Sequence, residues 1–352
     1  MGARSFALSA ASVFTTPARP QDFLRLVNPL SSARQLRGVV TSVTPECAGS
    51  VTIAFRPGHG WQAHEAGQYA RIGVEIDGVR QWRSYSLSAP AGQDPAITVT
   101  SVGRVSRHLV EHTKVGDIVF LAPPQGDFLL PTGPRPLLML TAGSGITPVM
   151  SMIRTLLPRR ADADVVLIHS SRTPEDTLFR SELAMLDADH DGFHVVHRHT
   201  GTDGRIDFTT PTDLEQLCPD WRSRKTYVCG PAELLDDATL MWRQHHVEDA
   251  LSVERFETAL LTDASGTGGR VVFEKSDKEA DADGSSTTLL EIGEEAGVLM
   301  PHGCRMGICR SCLVPLRAGQ VKDLRTGEIR SDEGDLIQTC ISAPAGPVHL
   351  DV

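Results

Sequence analysis

The sequence predicts a multidomain protein of mixed α/β and β class: an antiparallel β-barrel, then a parallel sheet flanked by helices, then a smaller third domain. Three observations carry this. The chain has 352 residues, and at roughly 100 to 200 residues per domain two or three domains are expected. Short β-rich runs broken by Gly and Pro fill its first third, after which strand and helix patterns alternate. A polar, Gly-rich stretch from Leu261 to Gly269 then precedes a segment that holds four of the seven cysteines.

The elements follow in order. Residues 1–36 read as an N-terminal extension, in which Gln21 to Leu30 puts Phe23, Leu24 and Val27 on one helical face. That face either packs on the barrel or touches a membrane or partner. The apolar patch from Phe6 to Phe14 is short and broken by Ser9 and Ser12, unlike a signal peptide. Residues 37–133 carry the barrel, with strands expected at Gly38 to Val43, Val51 to Phe55, Tyr69 to Ile76, Ser84 to Leu87, Ile97 to Val102 and Ile118 to Leu121. In residues 134–260 the strand Leu137 to Thr141 leads through a Gly turn into a helix from Pro148 to Leu157. Strands at Val165 to His169, Phe193 to His197 and Lys225 to Cys229 then alternate with helices at Arg180 to Leu186 and Glu233 to His245. Residues 261–268 form the linker and residues 269–352 the third domain.

Charge and hydropathy exclude two classes. Thirty-four basic against 44 acidic residues give a net charge of -10, which opposes the basic footprint of a nucleic-acid binder. The longest apolar runs, such as Leu137 to Leu140, stop far short of the ~20 residues that a membrane-spanning helix needs. Residues 269–352 hold 14 acidic and 9 basic residues, half of the excess. The third domain therefore suits docking onto a basic partner surface, or else simply presents a solvated acidic face.

Cys304, Cys309 and Cys312 are spaced C-x4-C-x2-C, with Cys340 as a distant fourth. This is the plant-type spacing for a [2Fe-2S] cluster, in which each iron takes two thiolates besides the bridging sulfides. Gly303 and Gly307 let backbone N–H groups approach the sulfurs. A structural zinc site also takes four Cys, but usually as two short C-x2-C pairs, whereas here one x4 and one x2 spacing are followed by a long gap.

Two further constellations suit nucleotide cofactors. In Arg83-Ser84-Tyr85-Ser86, the guanidinium can pair with a pyrophosphate, the phenol can cover a flavin ring and a hydroxyl can reach flavin N5. An ordinary edge strand can carry the same residues. Farther on, Val102, Gly103, Val105 and Ser106 lie where a short helix begins, a place for an anion. Gly143, Gly145 and Thr147 follow the first apolar strand of the second domain and open its first helix, so the backbone can approach a pyrophosphate. Pro148 stands where the dinucleotide fingerprint has its third glycine, and Ser171-Arg172 replaces the acid that binds a ribose. A hydroxyl and an Arg there favour a 2'-phosphate, hence NADPH over NADH. Cys229-Gly230 ends a later strand at the crevice edge, where the thiol either faces a nicotinamide or is simply buried.

Together, Arg83-Ser84-Tyr85-Ser86, Gly143 to Pro148, Cys229-Gly230-Pro231 and the C-terminal cysteines resemble the ferredoxin-NADP reductase superfamily, in the arrangement with a plant-type ferredoxin domain fused at the C-terminus. Within it, Asn28-Pro29-Leu30, Gly60-Trp61, Trp82 to Leu87 and Pro301 to Cys309 resemble the reductase partners of actinobacterial acyl-CoA desaturases. The resemblance covers residues 37–352 and implies a flavin-binding barrel, a nucleotide-binding domain and a β-grasp ferredoxin domain. It implies FAD, with FMN as the alternative; NADPH, with NADH as the alternative; and a [2Fe-2S] cluster on Cys304, Cys309, Cys312 and Cys340. By the same resemblance Arg83, Ser84, Tyr85 and Ser86 contact the flavin, Val102 to Ser106 its phosphates, and Gly143 to Thr147 the nicotinamide nucleotide. Ser171 and Arg172 lie at its 2'-phosphate, Cys229 and Gly230 near the nicotinamide, and Phe256 places an aromatic near the flavin. Ser86, Cys229 and Phe256 are then the catalytic candidates.

NAD(P)H yields two electrons as a hydride while a [2Fe-2S] cluster takes one at a time, so a flavin is needed between them. No diiron His box or Rieske Cys-x-His pair occurs in the chain, so oxygen activation falls to another protein. The expected acceptor is a membrane diiron fatty acyl desaturase or hydroxylase; the alternatives are a soluble Rieske-type or other oxygenase, or a redox sensor that passes no electrons on. A cytoplasmic monomer, able to work peripherally at the inner membrane face, follows from this reading.

Overall fold

The computed structural model describes residue 30 and residues 35–76, 78–256, 267–282, 287–303, 305, 307 and 310–352. The expected N-terminal helix, most of the linker, and Cys304 and Cys309 lie outside the described residues. The chain divides into two units, Met1–Glu254 and Arg255–Val352.

The first unit opens with β1 (Arg37–Cys47), β2 (Ser50–Pro57), β3 (Tyr69–Ile76), β4 (Val79–Ser86), β5 (Ala96–Thr100), α1 (Arg104–His112) and β6 (Ile118–Leu121). The strands pair antiparallel in the order β4-β3-β6-β1-β2-β5. A bridge between Leu87 and Ile97 joins the two ends of that order and closes the barrel. Alternation explains the inside: Val51, Ile53 and Phe55 of β2 point inward beside Ile72, Leu87, Ile97 and Leu121. Each such side chain contributes about 1.5–3 kcal/mol when fully buried. α1 adds Val105 and Leu109 to this core.

β4 begins at Val79, five residues before the Ser84 start expected from sequence. Its first half, Arg80-Gln81-Trp82-Arg83, shows no apolar alternation; cross-strand contacts hold it instead. A side chain on Gly73 of β3 would crowd the Trp82 indole at 3.0 Å, and the Arg80 guanidinium covers the Phe120 ring at 3.4 Å.

The rest of the unit is β7 (Leu137–Ala142), α2 (Ile146–Leu156), β8 (Val165–Ser171), α3 (Arg180–Asp189), β9 (Phe193–His199), α4 (Thr212–Leu217), β10 (Lys225–Cys229), α5 (Ala232–Gln244) and β11 (Leu251–Glu254). All five strands are parallel, in the order β11-β10-β7-β8-β9. β7, in the middle, is buried over Leu137 to Thr141, as a strand covered on both faces must be. α5 buries Leu235, Ala238, Met241 and Trp242 at helical spacing. α2 starts at Ile146, two residues ahead of expectation, because the Gly143–Gly145 turn already winds as a 3-10 helix and leads straight into it.

The second unit comprises β12 (Gly269–Phe273), β13 (Lys278–Ala282), α6 (Leu289–Glu295), β14 (Leu313–Asp323), β15 (Ile329–Arg330), β16 (Leu336–Gln338) and β17 (Ser342–Leu350). Its sheet runs β13-β12-β17-β14-β15, with β16 on β14; β12 and β17 are parallel and the other pairs antiparallel. Leu289, Leu290 and Ile292 of α6 join Val271, Phe273, Leu316 and Leu350 in one core. Among the described residues no helix is long and apolar enough to cross a membrane.

Candidate functional site

The Arg83-Ser84-Tyr85-Ser86 run forms the end of β4, paired with β3 so that Arg83 faces Ile72, Tyr85 faces Ala70 and Ser86 faces Tyr69. Arg83 Nη1 donates to the Trp82 carbonyl at 2.9 Å, which fixes the root of the guanidinium. Burial pushes the Tyr85 phenol well above its ordinary value, with Arg83 opposing the shift, so the ring stays neutral. The hydroxyls of Ser84 and Ser86 are buried and meet no hydrogen-bond partner among the described residues. Leaving such groups unmatched is costly, and a flavin edge would supply the missing partner. The residues present fit the cofactor.

At the start of α1, Val102 is 81% exposed, and Gly103 is exposed beside it. The Ser106 hydroxyl turns back, accepting from the Val102 and Gly103 amides at 3.0 and 2.9 Å. Ser106 thus shapes the turn from within, and Val105 is core.

The nucleotide motifs, far apart in sequence, meet at the C-terminal edge of the parallel sheet. β10 lies beside β7, with Cys229 opposite Thr141. A side chain on Gly145 would collide with the Cys229 carbonyl, and one on Gly230 would press on Ala142 and Leu234. The Gly143–Gly145 turn and the Cys229-Gly230 strand end therefore interlock backbone to backbone. Gly143 has φ +54°, a conformation that favours glycine. The Thr147 hydroxyl is spent inside the turn, donating to the Ser144 carbonyl at 2.9 Å.

At the end of β8, Ser171 departs from the expected picture. It is buried, and its hydroxyl lies 2.8 Å from Thr177 Oγ1 and 3.1 Å from His199 Nδ1 and donates to the Thr173 carbonyl at 2.9 Å. Its side chain organises the turn, leaving exposed Arg172 to face solvent. The physical reason is strand alternation: Ser171 shares the inward face of β8 with His169, and Arg172 lies just past the strand.

Cys229 is fully buried, and burial together with Glu254 keeps its thiol protonated. Glu254 is its register partner on β11. Burial first, and the charge of Asp127 second, push the Glu254 carboxyl up to about 7. Sequence reasoning did not give Glu254 a role; its proximity to Cys229 depends on the β10–β11 pairing, which leaves no local signal. Phe256 follows two residues after β11 and is half-buried.

In the second unit, Cys312 and Cys340 converge to 3.2 Å between sulfurs, both buried. Hydrogen bonding with Cys340 draws the Cys312 thiol below its ordinary value, toward the thiolate that a metal requires. Gly307, at φ +72°, lies against Ile341, and its carbonyl accepts from Gln338 Nε2 at 3.0 Å. Arg305, the residue after Cys304, pairs with Glu294 of α6 through both terminal guanidinium nitrogens. The loop is thus tied at Arg305 to α6 and at Gly307 to the residue preceding the Cys340 turn, and among the described residues the paired thiols of Cys312 and Cys340 suit one iron of a cluster.

Comparison with known proteins agrees with this geometry. Residues 139–239 match the oxidoreductase NAD-binding domain family and residues 271–345 the 2Fe-2S iron-sulfur cluster binding domain family. A protein of Mycobacterium tuberculosis called NADPH oxidoreductase is 47% identical over 351 residues, covering 97% of this chain and 91% of that one. The chain belongs to the NAD(P)H oxidoreductases of ferredoxin reductase type. This reductase joins an FAD- and NAD(P)H-binding unit to a C-terminal [2Fe-2S] ferredoxin domain and transfers electrons from NAD(P)H to the cluster. The glycine betaine monooxygenase reductase subunit of Pseudomonas aeruginosa is 29% identical over 81% of this chain and 86% of its own. The structure of phthalate dioxygenase reductase matches with TM-score 0.68 and 25% identity, covering 91% of this chain and 98% of that one.

Proposed function

We propose that the reductase takes its electrons from NADPH and delivers them to an oxygen-activating partner, a membrane diiron fatty acyl desaturase or hydroxylase. FAD, held by Arg83, Ser84, Tyr85 and Ser86, would supply the conversion between the two-electron chemistry of NADPH and the one-electron chemistry of the cluster. The observation that carries the reading is the Gly145–Cys229 interlock, which makes a single crevice from the pyrophosphate turn and the strand end that would flank the nicotinamide. In it Ser86 supplies a hydroxyl to the flavin, Arg83 and Tyr85 hold its phosphate and ring, and the protonated Cys229 packs against the nicotinamide. Phe256 supplies the aromatic near the flavin. Arg172 meets the 2'-phosphate and Ser171 sets the turn that presents it. Cys304, Cys309, Cys312 and Cys340 ligate the cluster.

Support for the desaturase comes from the resemblance carried by Asn28-Pro29-Leu30, Gly60-Trp61 and Pro301 to Cys309. Support for a second reading, reductase of a soluble oxygenase, comes from the monooxygenase and dioxygenase reductases among the relatives. Reconstituted turnover tests both: with NADPH and this protein, a membrane desaturase should turn over and soluble oxygenases should not. The reverse pattern gives the second reading. Reduction at equal rates by NADH and NADPH would remove the role given to Arg172.

A further inference from the structure

We propose that Arg154 is a positioning residue for hydride transfer, locking the helix that leaves the nucleotide turn to the loop that leaves the flavin strand. The inference rests on the flavin and nucleotide assignments above. α2 emerges directly from the Gly143–Gly145 turn, and Ser88 stands two residues beyond Ser86. On one face of α2, Ser151, Arg154 and Thr155 follow an i, i+3, i+4 spacing. Arg154 Nη1 donates to the Ser88 carbonyl at 2.6 Å, Ser151 Oγ donates to the Ala89 carbonyl at 2.6 Å, and Thr155 Oγ1 accepts from the Ala91 amide at 2.9 Å. The helix thus holds the loop at three residues, Ser88, Ala89 and Ala91, through three bonds. His64 Nε2 meets the same Ala89 carbonyl at 3.1 Å from the barrel side.

Arg154 reaches further. Its Nε and Nη2 donate to Glu182 of α3 at 2.8 and 2.5 Å, and its guanidinium lies 4.8 Å over the ring of Phe179. Phe179 itself, at φ +57°, is held in the left-handed region immediately before α3. One planar fork therefore ties the exit of β4, the helix after β7 and the helix after β8. With side-chain exposures of 20% and 32%, the pair is half-buried. Such a pair contributes little net stability, but its bidentate geometry specifies register in a way that apolar packing does not. Register matters at this point. Ser86 belongs to the barrel and Cys229 to the parallel sheet, so the gap between the two reacting rings is set by how barrel and sheet are keyed. A misplacement of about 1 Å in a reacting pair costs on the order of 100-fold in rate.

The test is anaerobic stopped-flow reduction of the full-length holoprotein by NADPH, comparing wild type with Arg154→Gln, Arg154→Lys and Glu182→Gln. Arg154→Gln is expected to slow flavin bleaching about 10- to 100-fold and to abolish the nicotinamide–flavin charge-transfer absorbance. Flavin content and the Kd for NADP+ should stay within about threefold, and the Ala91 amide should lose hydrogen-exchange protection. Arg154→Lys, which keeps one donor for Ser88, should recover part of the rate, and Glu182→Gln should lose less than Arg154→Gln. Bleaching within about twofold of wild type in Arg154→Gln overturns the proposal. So does slowing that only follows loss of flavin or of NADP+ affinity, since a structural tie alone does that. The wild-type arm separates the two readings: if NADPH does not bleach the flavin there, the cofactor assignments fall and this inference with them. Normal wild-type bleaching with an indifferent Arg154 sinks the inference alone.

Discussion

The nucleotide end of the first unit and the cysteine loop of the second solve the same task, holding a redox group, by opposite means. The nucleotide crevice is built from strand ends separated by more than 80 residues, Gly143–Gly145 and Cys229-Gly230, and backbone contact holds it together. The cluster loop places three of its four candidate ligands within nine consecutive residues, Cys304 to Cys312, and side-chain ties from Glu294 and Gln338 hold Arg305 and Gly307 within it. A crevice of the first kind leaves no room for a side chain at the glycines where its two strand ends touch. A loop of the second kind depends on the identity of single atoms.

The largest expected effect breaks the second site alone. Cys312→Ser should eliminate the low-temperature paramagnetic signal of the reduced cluster and lower cytochrome c reduction more than about 100-fold, while flavin bleaching by NADPH stays near wild type. Equal loss of both activities in a folded variant would contradict the separation of the two sites.

Next in size, Gly145→Ala sharpens the contrast from the other side. The new methyl meets the Cys229 carbonyl, so overpacking should cost about 1–3 kcal/mol of first-unit stability and at least about tenfold in NADPH-driven bleaching. The cluster signal after reduction by dithionite should remain. Thermal unfolding and the two spectra check this; an unchanged bleaching rate would mean that the interlock does not shape the crevice.

The smallest effect concerns Glu254. Its folded carboxyl titrates at about 7, raised from 4.5 by burial first and Asp127 second. A raised value means that the folded state keeps a proton the unfolded chain would release. That stabilisation is complete below the unfolded value and is lost as pH rises through 7. Glu254→Gln has no proton to lose, so its stability relative to wild type should be about 1–2 kcal/mol greater at pH 8.5 than at pH 4.5, after discounting for partial exposure. Urea unfolding at the two pH values reads the difference, and a gap that does not change with pH would remove the charge argument.

Much of this was legible locally. Alternating apolar residues such as Val51, Ile53 and Phe55 announce an inward strand face, and the C-x4-C-x2-C run announces a cluster without any knowledge of the fold. β4 was legible only in its second half, because Arg80 and Trp82 are held by Phe120 and Gly73 on other strands. Ser171 looked like a phosphate ligand from its neighbour Arg172; strand alternation and Thr177 turned its hydroxyl inward. Glu254 and Arg154 carry no local mark at all, since their partners Cys229, Ser88 and Glu182 lie 25, 66 and 28 residues away.

The sequence by itself determined the order of barrel, parallel sheet and cysteine domain, a thiol spacing that suits a [2Fe-2S] cluster and the class of chemistry, because periodicity, glycine placement and thiol spacing act over a few residues. Only the tertiary structure decided which strand ends share a crevice, which hydroxyls remain unmatched for a ligand and which charges are buried. Those properties depend on pairing across long sequence distances, where strand register and close packing, rather than local propensity, set the energy.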